Sequence, residues 1–149
     1  PEEIRYLRKL FSIRTTYGYL ISSFCCGVIA GLAPLWEAEG DAEVEAGLNE
    51  IWPLPASRPT ILFYDRACKR RRYLINHPDP LWGGTLNIVD RFHFMNHVEA
   101  DCAEYCSPAR QGDPLLWHRD ENDNPQFNWN SSIAESNNAF LHCMRGPYY

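Results

Sequence analysis

Two short apolar runs, each ending in an aspartate, constrain this chain more than anything else in it. Thr60-Ile-Leu-Phe-Tyr64 precedes Asp65, and Leu86-Asn-Ile-Val89 precedes Asp90. Each reads as a buried strand, and Arg66–Asn76 between them reads as a helix that stops before Pro78. Strand, acid, then polar residues is how α/β proteins set carboxylates at the C-terminal edge of a sheet. A third acid, Glu135, lies in Asn-Ser-Ser-Ile-Ala-Glu-Ser, the expected start of a helix that Ser131 or Ser132 caps and that runs to about Met144. Three acids on separate elements are the raw material of a divalent-metal site for phosphoryl transfer, with Mg2+ or Mn2+ as the ion.

The rest of the chain can be placed around that frame. Thr15–Ser23 and Phe24–Leu35 read as two strands of an antiparallel hairpin. Asp41 is the expected cap of a helix to about Trp52, ended by Pro53 and Pro55. Residues 1–14 suit a short amphipathic helix or a lead-in strand. From Ala109 to Asn130 the chain is polar and Pro-containing, which predicts a loop, within an insertion spanning about 98–130. The order is β-β-α-β-α-β-insertion-α in one domain over residues 1–149. One further strand in front would give the order of a ribonuclease H-like α/β fold, a mixed sheet flanked by helices.

Composition removes several alternatives. With 149 residues, 45% hydrophobic and 22% charged, the chain is long enough for one globular core. No apolar run approaches the ~20 residues of a membrane helix, so no membrane partner is expected. Pro1 at the start suggests a fragment, and no signal peptide is visible. The net charge of −5 argues against a protein that coats nucleic acid. Basic charge is local, at Lys69, Arg70, Arg71 and Arg72, which form either a solvated helix face or a phosphate contact beside Asp65. There is no G-x-S-x-G, P-loop or G-x-G-x-x-G.

The residues that bear chemistry each carry two readings. Asp65 is a metal ligand, or else a helix cap or ion-pair partner. Glu135 is the last metal-binding acid, or a solvated helix glutamate. Asp90 and His93 form D-x-x-H. His93, His97, Cys102 and Cys106 offer four nitrogen and sulfur donors, the ligand types of a tetrahedral zinc site. If that segment is helical, each pair at i,i+4 shares a face. The alternatives are core residues or a disulfide. Cys25, Cys26, Cys68 and Cys143 read as reduced core thiols.

At Tyr64–Cys68 (YDRAC), Asp90–His93, the NSSIAES around Glu135 and CCGVIAGLAPLWEAEG at 25–40, the sequence resembles transposases of the Kyakuja-Dileera-Zisupton type, in their fungal, cysteine-cluster-associated forms. The resemblance covers roughly residues 15–145. It implies a ribonuclease H-like DDE transposase that cleaves and joins DNA at transposon ends with two Mg2+ or Mn2+ ions. It also implies a nuclear location and protomers acting together. Asp65 then matches the second catalytic acid, Glu135 the last, and Asp90 with His93 the D-x-x-H signature between them. The family's first Asp is expected before the hairpin, and residues 1–40 contain none. The chain as it stands is therefore expected to be a core fragment, inactive alone. The alternative is a noncatalytic, zinc-stabilised DNA-binding or protein-interaction module derived from such a core.

Overall fold

The two runs that end in aspartate pair with each other. In the computed structural model, which describes residues 18–36 and 40–144 with the last three by backbone only, β3 (Ile61–Phe63) lies parallel to β4 (Leu86–Ile88). Ile61 stands opposite Leu86 and Phe63 opposite Ile88. Asp65 and Asp90 therefore each follow the last paired residue of their strand by two positions, side by side at the same sheet edge. The Tyr64 N–H donates to the Ile88 carbonyl at 3.0 Å and carries the register one step further.

Two strands precede this pair. β1 (Gly18–Ser23) and β2 (Ile29–Leu35) form the expected antiparallel hairpin, with a register shift at Ser22/Ser23. The turn is closed by Phe24 N–H to Val28 O at 2.8 Å and Gly27 N–H to Phe24 O at 2.9 Å. Gly27 has φ +94°, a left-handed conformation that a side chain disfavours. α1 (Asp41–Ile51) packs on this hairpin, close enough that a Cβ at Gly31 would stand 2.7 Å from Ile51 Cγ2. Gly40, not Asp41, is the N-cap. Asp41 is the first helical residue, where its charge faces the positive end of the helix dipole.

The core is in two parts. Val44, Leu48 and Trp52 of the α1 region pack with Trp82, and Ala67, Cys68, Val89, Cys102 and Cys106 form a second cluster. α2 (Ala67–Asn76) spans both, with Ala67, Cys68 and Arg70 buried. Arg70, 1% exposed in its side chain, donates to Glu45 Oε1 at 2.9 Å and to Asn87 Oδ1, and its guanidinium lies 4.5 Å from the Trp82 ring.

The segment after β4 departs from expectation. α3 (Arg91–Phe94) is four residues long, so His93 and His97 do not share a helix face. α4 (Ala100–Tyr105) follows, and then the stretch expected to be loop contains an antiparallel hairpin of β5 (Trp117–Arg119) with β6 (Pro125–Phe127). Leu116 beside it is fully buried, and Trp117 Nε1 donates to Pro108 O at 2.8 Å. The polar run that looked unstructured is the hairpin's turn. Asp120 accepts from the N–H groups of Asn122 and Asn124, each at 2.9 Å, and Asp123 takes φ 64°. Three-residue strands are too short for alternation to show. α5 (Ile133–Met144) is the last described element, and Asn137 Nδ2 anchors it to Ser23 Oγ at 2.8 Å and Gly27 O at 3.1 Å.

The result is a small mixed α/β protein. Among the described residues its six strands form three separate two-stranded sheets, not one continuous sheet. Between β1 and β3 lies a cavity of about 580 Å³, walled by residues that include Leu20, Ser22, Ile61 and Phe63 and floored by Val44 and Leu48. No helix among the described residues is long and apolar enough to cross a membrane. The lead-in at 1–14 lies outside the described residues.

Candidate functional site

The turn after β4 presents two imidazoles in two directions. Asp90 starts it. The Asp90 Oδ1 accepts from the backbone N–H of Phe92 at 3.0 Å and of His93 at 3.2 Å, capping α3. Its Oδ2 accepts from His93 Nδ1 at 2.5 Å. The D-x-x-H spacing is thus a capping geometry in which the cap residue also holds the side chain three positions on. Asp90 is 7% exposed, and these bonds occupy both its oxygens. It orients His93.

With Nδ1 held, His93 Nε2 faces Glu135 Oε1 at 3.8 Å. Glu135 comes from α5, whose docking on the β1–β2 turn sets its position, and the Ser131 hydroxyl just before α5 accepts from Arg91 N–H at 3.4 Å. Asp65 lies close enough to act on the same ring. His93 is raised above the ordinary imidazole value by the Asp90 hydrogen bond, against the effect of burial, with further help from the charges of Asp90, Asp65 and Glu135. Of the four residues singled out as an acid site, Asp90 and Glu135 stand against His93 at 2.5 and 3.8 Å, and Asp65 acts on the ring through its charge. Asp65 and Glu135 are exposed there. Among the described residues, these side chains do not form a group whose ligand atoms all lie within 4.8 Å of one another.

The second imidazole points to sulfur. His97 Nδ1 stands 3.6 Å from Cys68 Sγ and 3.4 Å from Cys102 Sγ. Among the described residues, Cys68, His97 and Cys102 are the group of His, Cys and acidic side chains whose ligand atoms all lie within 4.8 Å of one another, and such a group can hold a metal ion. Cys68 is on the first turn of α2, Cys102 on α4, and His97 on the connection between α3 and α4, with Phe94 stacked on its ring. Cys106, fully buried, ends α4 in the same cluster. Burial above all pushes the Cys102 thiol up to about 12 and the Cys106 thiol to about 11.

This corrects the expected set of His93, His97, Cys102 and Cys106. His93 belongs to the acids, and Cys68 takes its place among the sulfurs. Cys68 was hidden by its distance in sequence, 29 residues before His97. Its one signal is its place directly after Asp65-Arg-Ala, on the inner side of the first helical turn.

The basic run is largely committed elsewhere. Arg70 is turned into the core, which removes it as a phosphate contact. Arg71 lies 3.8 Å over the Tyr105 ring, and Arg72 pairs with Glu99 and Asp101. Lys69 is exposed.

Comparison of the chain with family models, with characterised proteins and with solved structures finds no match to any of them.

Proposed function

We propose that the chain is part of a metal-dependent phosphoryl-transfer core of the DDE transposase type, acting on DNA at transposon ends. The observation that carries the reading is the placement of Asp65 and Asp90 at equivalent positions beyond two parallel strands, with Glu135 brought to the same imidazole from the last helix. Oxygen donors exposed at a sheet edge suit Mg2+ or Mn2+. Asp65 and Glu135 are the ligands, and His93 is a positioned base or an electrostatic partner that Asp90 holds in one tautomer. Zinc prefers nitrogen and sulfur and belongs to the thiol–imidazole group instead. The fold supports the same reading. A strand laid between β1 and β3 would join two of the separate pairs into one sheet ordered β2-β1-strand-β3-β4, the ribonuclease H-like order. DNA-linked assembly of protomers and a nuclear location follow from this reading.

The test is Mn2+ binding, read by electron paramagnetic resonance on the chain itself. Asp65→Asn and Glu135→Gln should each weaken binding about tenfold or more, since each removes a charged ligand, while Lys69→Ala leaves it unchanged. Mn2+ affinity equal in all four proteins would end the proposal. A second reading, a noncatalytic interaction module, is favoured by the way the thiol group and not the acid group is tightly assembled. It predicts that equal-affinity outcome.

A further inference from the structure

We infer that Cys68, His97, Cys102 and Cys106 form a structural zinc site that clamps α4 and the α3 turn onto α2. The inference stands on the thiol–imidazole geometry and does not depend on the phosphoryl-transfer reading.

The distances are those of a metal shell. Tetrahedral zinc holds sulfur at ~2.3 Å and nitrogen at ~2.0–2.1 Å, which sets neighbouring sulfur and nitrogen roughly 3.6 Å apart. His97 Nδ1 is 3.6 Å from one sulfur and 3.4 Å from the other. Hydrogen bonds can join the same groups only in a chain, one thiol to the ring nitrogen and the other to its neighbour's sulfur. A single ring nitrogen either donates one proton or accepts one, so its approach to both sulfurs is not explained by that chain. A cation at the centre of the three atoms satisfies all of them at once. The donors also come from three separate pieces of chain, Cys68 from α2, His97 from the connection and Cys102 from α4, as a cross-link requires.

Cys106 is the fourth ligand. Its residue is 0% exposed and packed in one cluster with Cys68 and Cys102, though its sulfur lies outside the group of three whose atoms are within 4.8 Å. It sits one helical turn after Cys102, whose carbonyl accepts its N–H at 3.1 Å, which places it on the same side of the helix end as Cys102. A closed set of four protein ligands is the structural type of site, not the catalytic type with an open position. Each thiol releases its proton to solvent as it binds, so uptake is accompanied by acidification.

The consequence is positional. Val89 donates to the Cys106 carbonyl at 2.9 Å, and Asp90 and His93 follow directly. An ion held by His97 and Cys106 therefore brackets the D-x-x-H turn from both ends of its connection.

The experiment uses the whole chain, purified with reductant and chelator, and Co2+ as an optical stand-in for zinc. The expected result is one Co2+ per chain with intense sulfur-to-metal charge-transfer absorption and tetrahedral ligand-field bands, displaced by one equivalent of Zn2+. Cys68→Ser and Cys106→Ser should each reduce the charge-transfer intensity, and Cys26→Ser should not. In the unaltered protein, Zn2+ should protect Cys68, Cys102 and Cys106 from alkylation, read by peptide mass spectrometry, while the exposed Cys26 reacts as before. Alkylation of those three cysteines at the same rate with and without Zn2+ overturns the inference, and so does a Cys68–Cys102 disulfide in the reduced preparation. Full charge-transfer intensity in Cys106→Ser overturns the fourth ligand specifically.

Discussion

The two clusters on either side of the α3 turn are built from the same short segment and differ in every physical respect. On one side His93 meets oxygen. Its partners Asp65 and Glu135 are exposed, and Glu135 stands 3.8 Å away with 59% of its side chain open to solvent. On the other side His97 meets sulfur. Cys102 is 1% exposed, and all three ligand atoms fit within 4.8 Å. The open side is accessible to water, and oxygen donors of its kind suit hard cations. The closed side has both thiols buried and its imidazole half-buried. Three residues separate the imidazoles, so the turn itself divides sulfur donors from oxygen donors.

Removing metal is the largest way to break that comparison. Binding free energy at a structural zinc site is folding free energy. Chelation of the zinc-loaded chain should therefore lower its thermal midpoint by ~10 °C or more. Hydrogen exchange should localise the loss to residues 91–106 and the start of α2, with the β1–β2 hairpin and α1 protected as before. Uniform loosening of the whole chain would show that the thiol cluster is ordinary core.

Next comes the other side of α2. Arg70 ties that helix to α1 through Glu45, and both side chains are nearly inaccessible, at 1% and 8%. Arg70→Ala leaves Glu45 buried without its cation. Burial already pushes Glu45 upward against the lowering effect of Arg70. The expected loss is about 3–5 kcal/mol in urea unfolding, and Arg70→Met with Glu45→Met should recover most of it. The zinc affinity of the folded fraction should not change, because the helix is held at Cys68 independently. A parallel loss of zinc binding would mean that the two halves of the core are one unit.

What could be read from the sequence followed from local pattern, and what could not depended on distance along the chain. Asp65 and Asp90 were legible because apolar strand, acid and helix lie in consecutive residues and the parallel pairing adds no offset between them. The thiol site was half legible. His97, Cys102 and Cys106 fall in one window, but Cys68 arrives through the packing of α2 on α4, which no spacing rule encodes. His93 was misplaced because i,i+4 logic assumes a continuous helix, and α3 stops after four residues. Arg70 was misread as part of a charged face, although Ala67, Arg70 and Leu74 share the helical spacing that faces the core. A cation on a buried face is visible in a sequence only when its counter-charge, here Glu45 one helix earlier, is known to lie opposite.

The oxygen side should answer to pH. His93 is raised in the folded protein, foremost by the Asp90 hydrogen bond. Its charged pairing therefore stabilises fully below the unfolded imidazole value near ~6.5 and fades as pH rises through the higher folded value. In chelator, an NMR titration of the ring should give a midpoint above 6.5. Asp90→Asn should bring it down furthest, and Glu135→Gln and Asp65→Asn should lower it less. A His93 midpoint unmoved by Asp90→Asn would show that the D-x-x-H contact is geometric only.

The smallest effect sharpens the comparison most finely. Arg72 of α2 pairs with Glu99 and Asp101 at the start of α4, so it spans the same two helices as Cys68 and Cys102, but on the surface. Exposed pairs of this kind contribute little, since water and salt screen them and two long side chains must be ordered. With zinc bound, Arg72→Ala should leave the unfolding midpoint within experimental scatter. Without zinc, the ion pairs, the Arg71–Tyr105 contact and the thiol packing hold α4 to α2. The same substitution should then lower exchange protection across 99–106, and more so at low salt, where screening is weakest. Equal effects with and without zinc would show that the metal bears no part of the link between the helices. An effect confined to the chelated protein would assign that link to the buried side of the interface.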